Sequence, residues 1–422
     1  MKKDFSQGVS LPFQRPETLK AQAPSTQLEK RVMRLILRLL GDPAINVTLW
    51  DGESVQPGQQ RPGRVLPGMV LKERAALWRM LVNPALHFGD DYASGRIEVE
   101  GGLVAFLEQI YAALDRRQKK FGHILMLANR YRLLRGNPID RAKHNIHHHY
   151  DIGNEFYRLW LDEEMAYTCA YFAPGVTTLE AAQLAKMEHV CRKLRLRPGE
   201  TVIEAGCGWG SLARYMARHY GVKVRAFNIS HEQIVYAKER ARADGLDGQV
   251  EYIEDDYRNI RGSCDAFVSV GMLEHVGVKD YSELGSIIDR TLAPNGRGLI
   301  HSIGQNQPIP INAWVQQRIF PGGYTPTLRQ MMNILEPFDF SVLDVENLRP
   351  HYAQTLAHWL QRFDARQDEV RAMYGDSFIR AWRLYLSGSL TNFSAGYLQL
   401  YQLLFTRAQN NTLPMTRDDL YH

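Results

Sequence analysis

Long apolar runs are missing from this 422-residue chain, and none approaches the roughly 18 residues needed to span a bilayer. The stretch from Met1 to Gln14 has two lysines with no apolar segment behind them, so we expect no secretory leader. Cysteine is scarce. The four present (Cys169, Cys191, Cys207 and Cys264) include no close pair, which argues against a disulfide framework and for a reducing compartment. Internal repeats and low-complexity tracts are also lacking. These absences point to a cytoplasmic globular protein, free or resting on the inner face of a membrane.

What is there is ordinary in bulk: 45% hydrophobic and 23% charged residues. The length exceeds a usual single domain, so two are expected. Net charge is +5 but unevenly spread. Between Asp115 and Tyr150 nine Lys or Arg face only Asp115 and Asp140, leaving about −2 for the rest. Phe121, Ile124, Leu125, Leu127, Tyr131, Leu133 and Leu134 lie among those charges. A basic amphipathic stretch of this kind reads as an element for an anionic membrane surface. A solvated linker helix leaning on the next domain reads equally well.

Three segments follow: residues 1–115 as a small α+β unit, 116–143 as the basic linker, and 144–422 as a larger second domain. In the first, a helix is expected over Leu28–Leu40 with Val32, Leu35, Ile36, Leu39 and Leu40 on one side. A strand over Ile45–Trp50 and a helix near Leu103–Leu114 come next. From Thr201 onward strands and helices alternate, which predicts an α/β doubly wound sheet. Its strands fall at Thr201–Ala205, Val222–Phe227, Val250–Ile253, Asp265–Val270 and Gly298–Ile303. Ser341–Val345 and Leu398–Thr406 would close it as an antiparallel pair. Ser230 with Gln233 makes a capping-box pattern for the helix running to Gly245.

The sharpest local signal is Glu204-Ala205-Gly206-Cys207-Gly208-Trp209-Gly210, set between a strand and a helix. Glycines there permit a tight turn and close approach to a ligand. A pyrophosphate cradle would show Gly-x-Gly-x-x-Gly. The observed Glu-x-Gly-x-Gly-x-Gly instead resembles motif I of class I (Rossmann-like) methyltransferases, whose cofactor is S-adenosylmethionine. The end of the second strand, where an acid commonly meets the ribose, offers Asn228, Ile229, Ser230 and Gln233. Asp256 and Tyr257 follow the third strand, where such folds hold adenine.

Taken together, the chain from about His149 to Arg407 resembles the cyclopropane-fatty-acyl-phospholipid synthases and their mycolic acid relatives. The likeness rests on His149 through Asn154, Met165 through Phe172, the glycine loop, and Ser269 through Gly277. His301 through Gly304, Ile319 through Gly323 and Leu384 through Leu386 follow in order. Thr168, Glu204, Asn228 and Leu273 depart from the residues usual in the family. The resemblance implies cofactor contacts from Tyr167, Thr168, the loop Glu204 to Gly210, Asn228 to Gln233, and Asp256 and Tyr257. It also implies a bicarbonate ion held by Cys169, Glu274, His301, the backbone of Ile303, and Tyr385. The activity implied is transfer of a methylene from S-adenosylmethionine to the cis double bond of an unsaturated acyl chain in membrane phospholipid. A same-family enzyme that stops at a methylene or methyl branch is the alternative. A homodimer on an anionic membrane is the implied assembly, without nucleic acid.

The chemistry suits those residues. An alkene is a weak nucleophile, so positioning must supply much of the rate. Ring closure needs a base, and a side-chain base beside an electrophilic methyl risks being alkylated; a captured bicarbonate avoids that. The ring faces of Tyr171, Phe172 and Trp209 suit a transient cation. Duller roles exist for each: Cys169 and Cys207 as small core residues, His301 as a strand-end cap, Tyr385 as helix packing. The run His144, His147, His148, His149 lacks the Cys or carboxylate partners of a zinc site, so no metal is expected. Absence of any Pro-Pro pair removes the Asn/Asp-Pro-Pro-aromatic motif of nucleic-acid amino methylation.

Overall fold

Thr26 starts the first helix, Gln27–Leu39, by a reciprocal cap: its hydroxyl accepts the Glu29 amide at 3.3 Å, and Glu29 accepts the Thr26 amide at 2.8 Å. The computed structural model describes residues 22–55, 65–115 and 152–421. The basic segment 116–143, the His144–His149 run and the residues from His149 to Asp151 lie outside the described residues. Within the first helix the buried stripe is Glu29, Met33, Ile36 and Leu37. This corrects the expected face. Of the predicted stripe only Ile36 is buried; Leu35 and Leu39 are each 47% exposed. The cap and the ion pair of Glu29 with Arg74 turn the helix so that its acid faces inward.

Four short strands form the sheet of this unit: β1 (Asn46–Thr48), β2 (Ser54–Val55), β3 (Gly68–Leu71) and β4 (Ile97–Glu100), in the order β2-β1-β3-β4. Helices Arg74–Val82, Pro84–Ala93 and 103–115 accompany them. The compact unit also takes in residues 310–319 and 356–396, which the sequence reading assigned to the 144–422 domain. Specific bonds hold these additions. Arg318 pairs with Asp90 at 2.9 Å, Arg380 donates to the Tyr92 and Ile97 carbonyls at 2.6 and 2.9 Å, and Asn392 donates to the Tyr111 hydroxyl at 2.6 Å.

The second unit is built on seven strands: β5 (Thr201–Ala205), β6 (Lys223–Asn228), β7 (Val250–Glu254), β8 (Cys264–Val270), β9 (Leu292–Gly304), β10 (Phe340–Asn347) and β11 (Gln399–Arg407). Their order is β10-β11-β9-β8-β5-β6-β7, with β11 antiparallel to both neighbours and the β7-β6-β5-β8-β9 run parallel. Apolar side chains cover both faces. Met187, Val190, Leu212, Met216 and Ile234 pack on one; Tyr281, Leu284, Ile287, Ile288 and Ile334 pack on the other. The doubly wound arrangement and its closing antiparallel pair are as the alternating pattern predicted. From β5 the chain winds outward to β6 and β7, then returns to β8 on the other side. That reversal opens a crevice at the carboxyl ends of β5 and β6, where such sheets bind ligands.

Candidate active site

The glycine loop leaves β5 at Ala205 and enters the helix Ser211–Tyr220 at Gly210. Its amides at Gly206 and Cys207 donate back to the Phe227 carbonyl at 2.9 and 3.0 Å. Arg214 braces it from below, donating to the Trp209 carbonyl at 3.1 Å while pairing with Glu164 at 2.5 Å and Asp244 at 3.2 Å. The glycines differ in what they serve. A Cβ at Gly210 would fall on the Tyr252 hydroxyl, which itself donates to the Gly210 carbonyl at 2.8 Å. At Gly208, φ is +53° and a Cβ would meet no protein atom within 4 Å. So Gly210 is small for packing, whereas Gly208 leaves open the space of the cleft it lines.

That cleft gathers Tyr167, Thr168, Glu204, Gly206, Cys207, Gly208, Trp209, Asn228 and Gln233 among its walls. Ala205, Gly210, Ile229, Ser230, Asp256 and Tyr257 are not on its lining. Asp256 is occupied locally, accepting from the Arg258 amide at 3.0 Å. The capping box foreseen for Ser230 and Gln233 does not form, and the Ser230 hydroxyl has no hydrogen-bond partner in its buried position. Gln233 accepts instead from Asn228 at 2.8 Å, and Asn228 also donates to the Gly208 carbonyl at 3.3 Å. The Asn228 amide thus takes the Gln233 oxygen that a capping box would use.

Two residues that sequence reasoning missed hold the opposite wall. Gln183 donates to the carbonyls of Ala166 and Thr168 at 3.1 and 2.9 Å, fixing the segment that presents Tyr167 and Thr168. Lys186, also buried, donates to the Thr168 hydroxyl at 2.9 Å. Burial lowers the Lys186 pKa, against the pull of Asp162, Cys169 and Glu204. Glu204 is pushed up to about 7 by its own burial, with Lys186 and Arg214 working the other way. A signal existed: Gln183, Lys186, His189 and Lys193 recur at helical spacing inside the apolar stripe of the helix Leu179–Leu194.

His275, another lining residue, is pushed down to about 4 by burial. The turn Leu273–His275 follows β8, and it carries Glu274 toward the end of β9. There the Ile303 amide donates to Glu274 Oε1 at 2.5 Å, while Oε2 is buried without a hydrogen-bond partner. Burial raises the Glu274 carboxyl to about 6. His301 lies two residues back on β9, its Nε2 also buried without a partner and its Nδ1 3.0 Å from Gln402 Nε2. Burial drives its pKa down to about 3, helped by Lys186 and Lys193. Cys169 is buried, its thiol donating to the Ala170 carbonyl at 3.1 Å, and burial holds it protonated. Tyr385 belongs to the first compact unit, buried on the helix Asp376–Ala395 with its ring edge-on to Trp382 at 5.3 Å.

Both sets of groups fit what the resemblance implies. Glu204 Oε2 and Gln233 Nε2 are buried polar atoms without protein partners on residues that line the cleft with Gly208, which suits the polar ends of S-adenosylmethionine. Glu274 Oε2 offers an acceptor and His301 Nε2 a second polar atom, a set that suits an anion bearing both a hydroxyl and charged oxygens. Among the described residues no group of three His, Cys, Asp or Glu is placed to hold a metal.

A seven-stranded sheet in this order, reversed at its seventh strand, with a glycine loop at the switch point, makes this a class I S-adenosylmethionine-dependent methyltransferase. Solved structures agree. The cyclopropane synthase MmaA2 from Mycobacterium tuberculosis is 28% identical with a TM-score of 0.60, covering 64% of this chain and 99% of that one. The mycolic acid cyclopropane synthase CmaA1 complexed with SAH and CTAB is also 28% identical at a TM-score of 0.60, over 63% and 98%. The chain belongs to the mycolic acid cyclopropane synthetase family, whose pattern matches residues 138–403. A domain family of unknown function, DUF7884, matches residues 32–120. Among curated relatives, the probable fatty acid methyltransferase of Pseudomonas putida is 32% identical over 89% of this chain and 96% of its own. The cyclopropane-fatty-acyl-phospholipid synthase of Escherichia coli K12 is 37% identical over 80% and 87%.

Proposed function

We propose that this enzyme adds a one-carbon unit to the cis double bond of an unsaturated fatty-acyl chain in membrane phospholipid and closes it to a cyclopropane. The observation that carries the reading is that Glu274 Oε2, in the turn after β8, and His301 Nε2, near the carboxyl end of β9, are both buried without protein partners. S-adenosylmethionine supplies an electrophilic methyl group, and bicarbonate supplies an oxygen base for the proton lost on ring closure. The chain's own residues position and exclude. Glu274, anchored through Oε1 on the Ile303 amide, turns Oε2 to the anion's hydroxyl; His301, kept neutral by burial, adds no competing charge. Cys169 stays a thiol and is thereby protected from alkylation. Asp256 and Tyr257 are assigned to the adenine in this reading.

The phospholipid substrate and the ring are favoured by the Escherichia coli relative, named for both. The Pseudomonas putida relative, matched over more of the chain, favours the branch-forming alternative. The described residues include no helix long and apolar enough to cross a membrane, so the substrate is to be met at the surface. We assign that role to an anionic, cytoplasm-facing bilayer and the working form to a homodimer. The deciding experiment incubates purified enzyme, S-adenosylmethionine and unsaturated phospholipid vesicles, then records proton NMR of the extracted lipid. Upfield cyclopropyl protons are expected. Vinylidene signals in their place would shift the assignment to a methylene-branching enzyme, which mass alone cannot separate because both products gain CH2.

A further inference from the structure

Gln402 is an amide set amid Leu400, Tyr401, Leu403, Leu404 and Phe405. It sits on β11 with Leu400 and Leu404 two residues to either side, and it is fully buried. A buried amide without a partner is costly, so a role for its hydrogen bonds is to be sought. Its cross-strand partner on β9 is His301, in direct register, and its Nε2 lies 3.0 Å from His301 Nδ1. An amide N–H donates and cannot accept. With the amide turned so that Nε2 faces the ring and Oε1 is left buried without a partner, Nδ1 is the lone-pair nitrogen and the ring proton lies on Nε2, the atom without a protein partner.

We propose that Gln402 is a positioning residue that locks His301 as the Nε2–H tautomer, so that His301 offers a hydrogen-bond donor, and not a base, to the anion held at Glu274. The proposal rests on the bicarbonate reading above and deepens it. With Nε2 already carrying a proton, His301 cannot take up the one released on ring closure. That task falls to the anion, between an acceptor at Glu274 Oε2 and a donor at His301 Nε2. Two groups of opposite hydrogen-bonding sense also fix which oxygen of the anion is protonated. Burial, with Lys186 and Lys193 nearby, keeps the ring neutral, so a single tautomer is a meaningful state near neutral pH.

The test uses the full chain with 15N-labelled histidine. Long-range proton–nitrogen correlation, with His301 assigned by its loss in His301→Asn, is expected to show the Nε2–H pattern. Gln402→Glu turns the donor into an acceptor and should move the proton to Nδ1. Turnover should then fall at least tenfold and the bicarbonate concentration for half-maximal rate should rise, while S-adenosylhomocysteine affinity by calorimetry stays within twofold. If that variant does not fold, Gln402→Met keeps the apolar interior; mixed tautomers and a several-fold loss are expected. An Nδ1–H pattern in the parent, or full turnover in a variant whose tautomer has moved, would overturn the proposal. A parent indifferent to bicarbonate would instead remove the anion reading, with the tautomer still judged by its nitrogen shifts.

Discussion

Glu274 spends one carboxylate oxygen on the Ile303 amide, at 2.5 Å, and keeps the other buried and unpaired. The division separates a structural role from a chemical one within a single side chain. Glu274→Gln retains an acceptor for Ile303 but replaces the second oxygen with a donor. The fold and cofactor affinity are expected to survive, while turnover falls about a hundredfold, as for loss of an acid–base partner. Thermal melting beside turnover at saturating cofactor decides it. A folded variant with near-parental turnover would take Glu274 out of the mechanism.

The two loop glycines should fail differently. Gly208→Val places a branched side chain in the open cleft, so S-adenosylhomocysteine binding by calorimetry should be lost. The positive φ adds a strain of about 1–2 kcal/mol, too little by itself to unfold the unit. Gly210→Ala drives a methyl group onto the Tyr252 hydroxyl and should lower the melting temperature more than Gly208→Val does. Reversal of that order would mean that the loop's open side has been misplaced.

Much of this was legible in the chain because local pattern and global fold agree in the second unit. Short, mostly apolar runs at Thr201–Ala205 and Asp265–Val270, each followed by glycine, lie where β5 and β8 lie. Motif spacing led to Gly208, and the family resemblance to Glu274 and His301. What was not legible depends on contacts distant in sequence. Gln402 matters because β11 sets it opposite His301, a hundred and one positions away. Gln183 and Lys186 look like ordinary helix polar residues until Thr168 is folded against them. The first helix misled for a related reason: its apolar residues nearly encircle it, so the buried face was chosen by Glu29 and Arg74.

His275 gives a pH signature independent of catalysis. Burial holds its pKa at about 4, below the ordinary value of 6.5, so the folded protein refuses a proton that the unfolded chain accepts. Its contribution to stability is present above about pH 6.5 and is lost as pH falls toward 4. Buried Glu274, raised to about 6, acts in the opposite sense by taking up its proton first in the folded state. Comparison with a variant isolates the histidine. The melting temperature of His275→Gln, measured against the parent, should move in the variant's favour between pH 7 and pH 5. A constant gap across that range would show that His275 does not titrate differently in the folded and unfolded states.

The exposed side of the first helix leads to the last expectation. Leu28, Leu35 and Leu39 are 63%, 47% and 47% exposed, and Arg31, Arg34 and Arg38 are exposed among them. Leucines beside arginines on one helix suit the boundary of an anionic bilayer, where apolar side chains enter the headgroup layer and guanidinium groups meet phosphate. Each leucine buried in that layer is worth about 1.5–3 kcal/mol if fully withdrawn from water. Replacing the three leucines by serine should weaken sedimentation with phosphatidylglycerol vesicles at any salt concentration. Reversing the three arginines should remove the preference for anionic over zwitterionic vesicles and flatten the salt dependence. Neither set touches the cleft, so S-adenosylhomocysteine affinity should be unchanged in both. Vesicle binding equal to the parent in both variants would exclude this helix as the docking face and leave the basic segment 116–143 to carry the attachment.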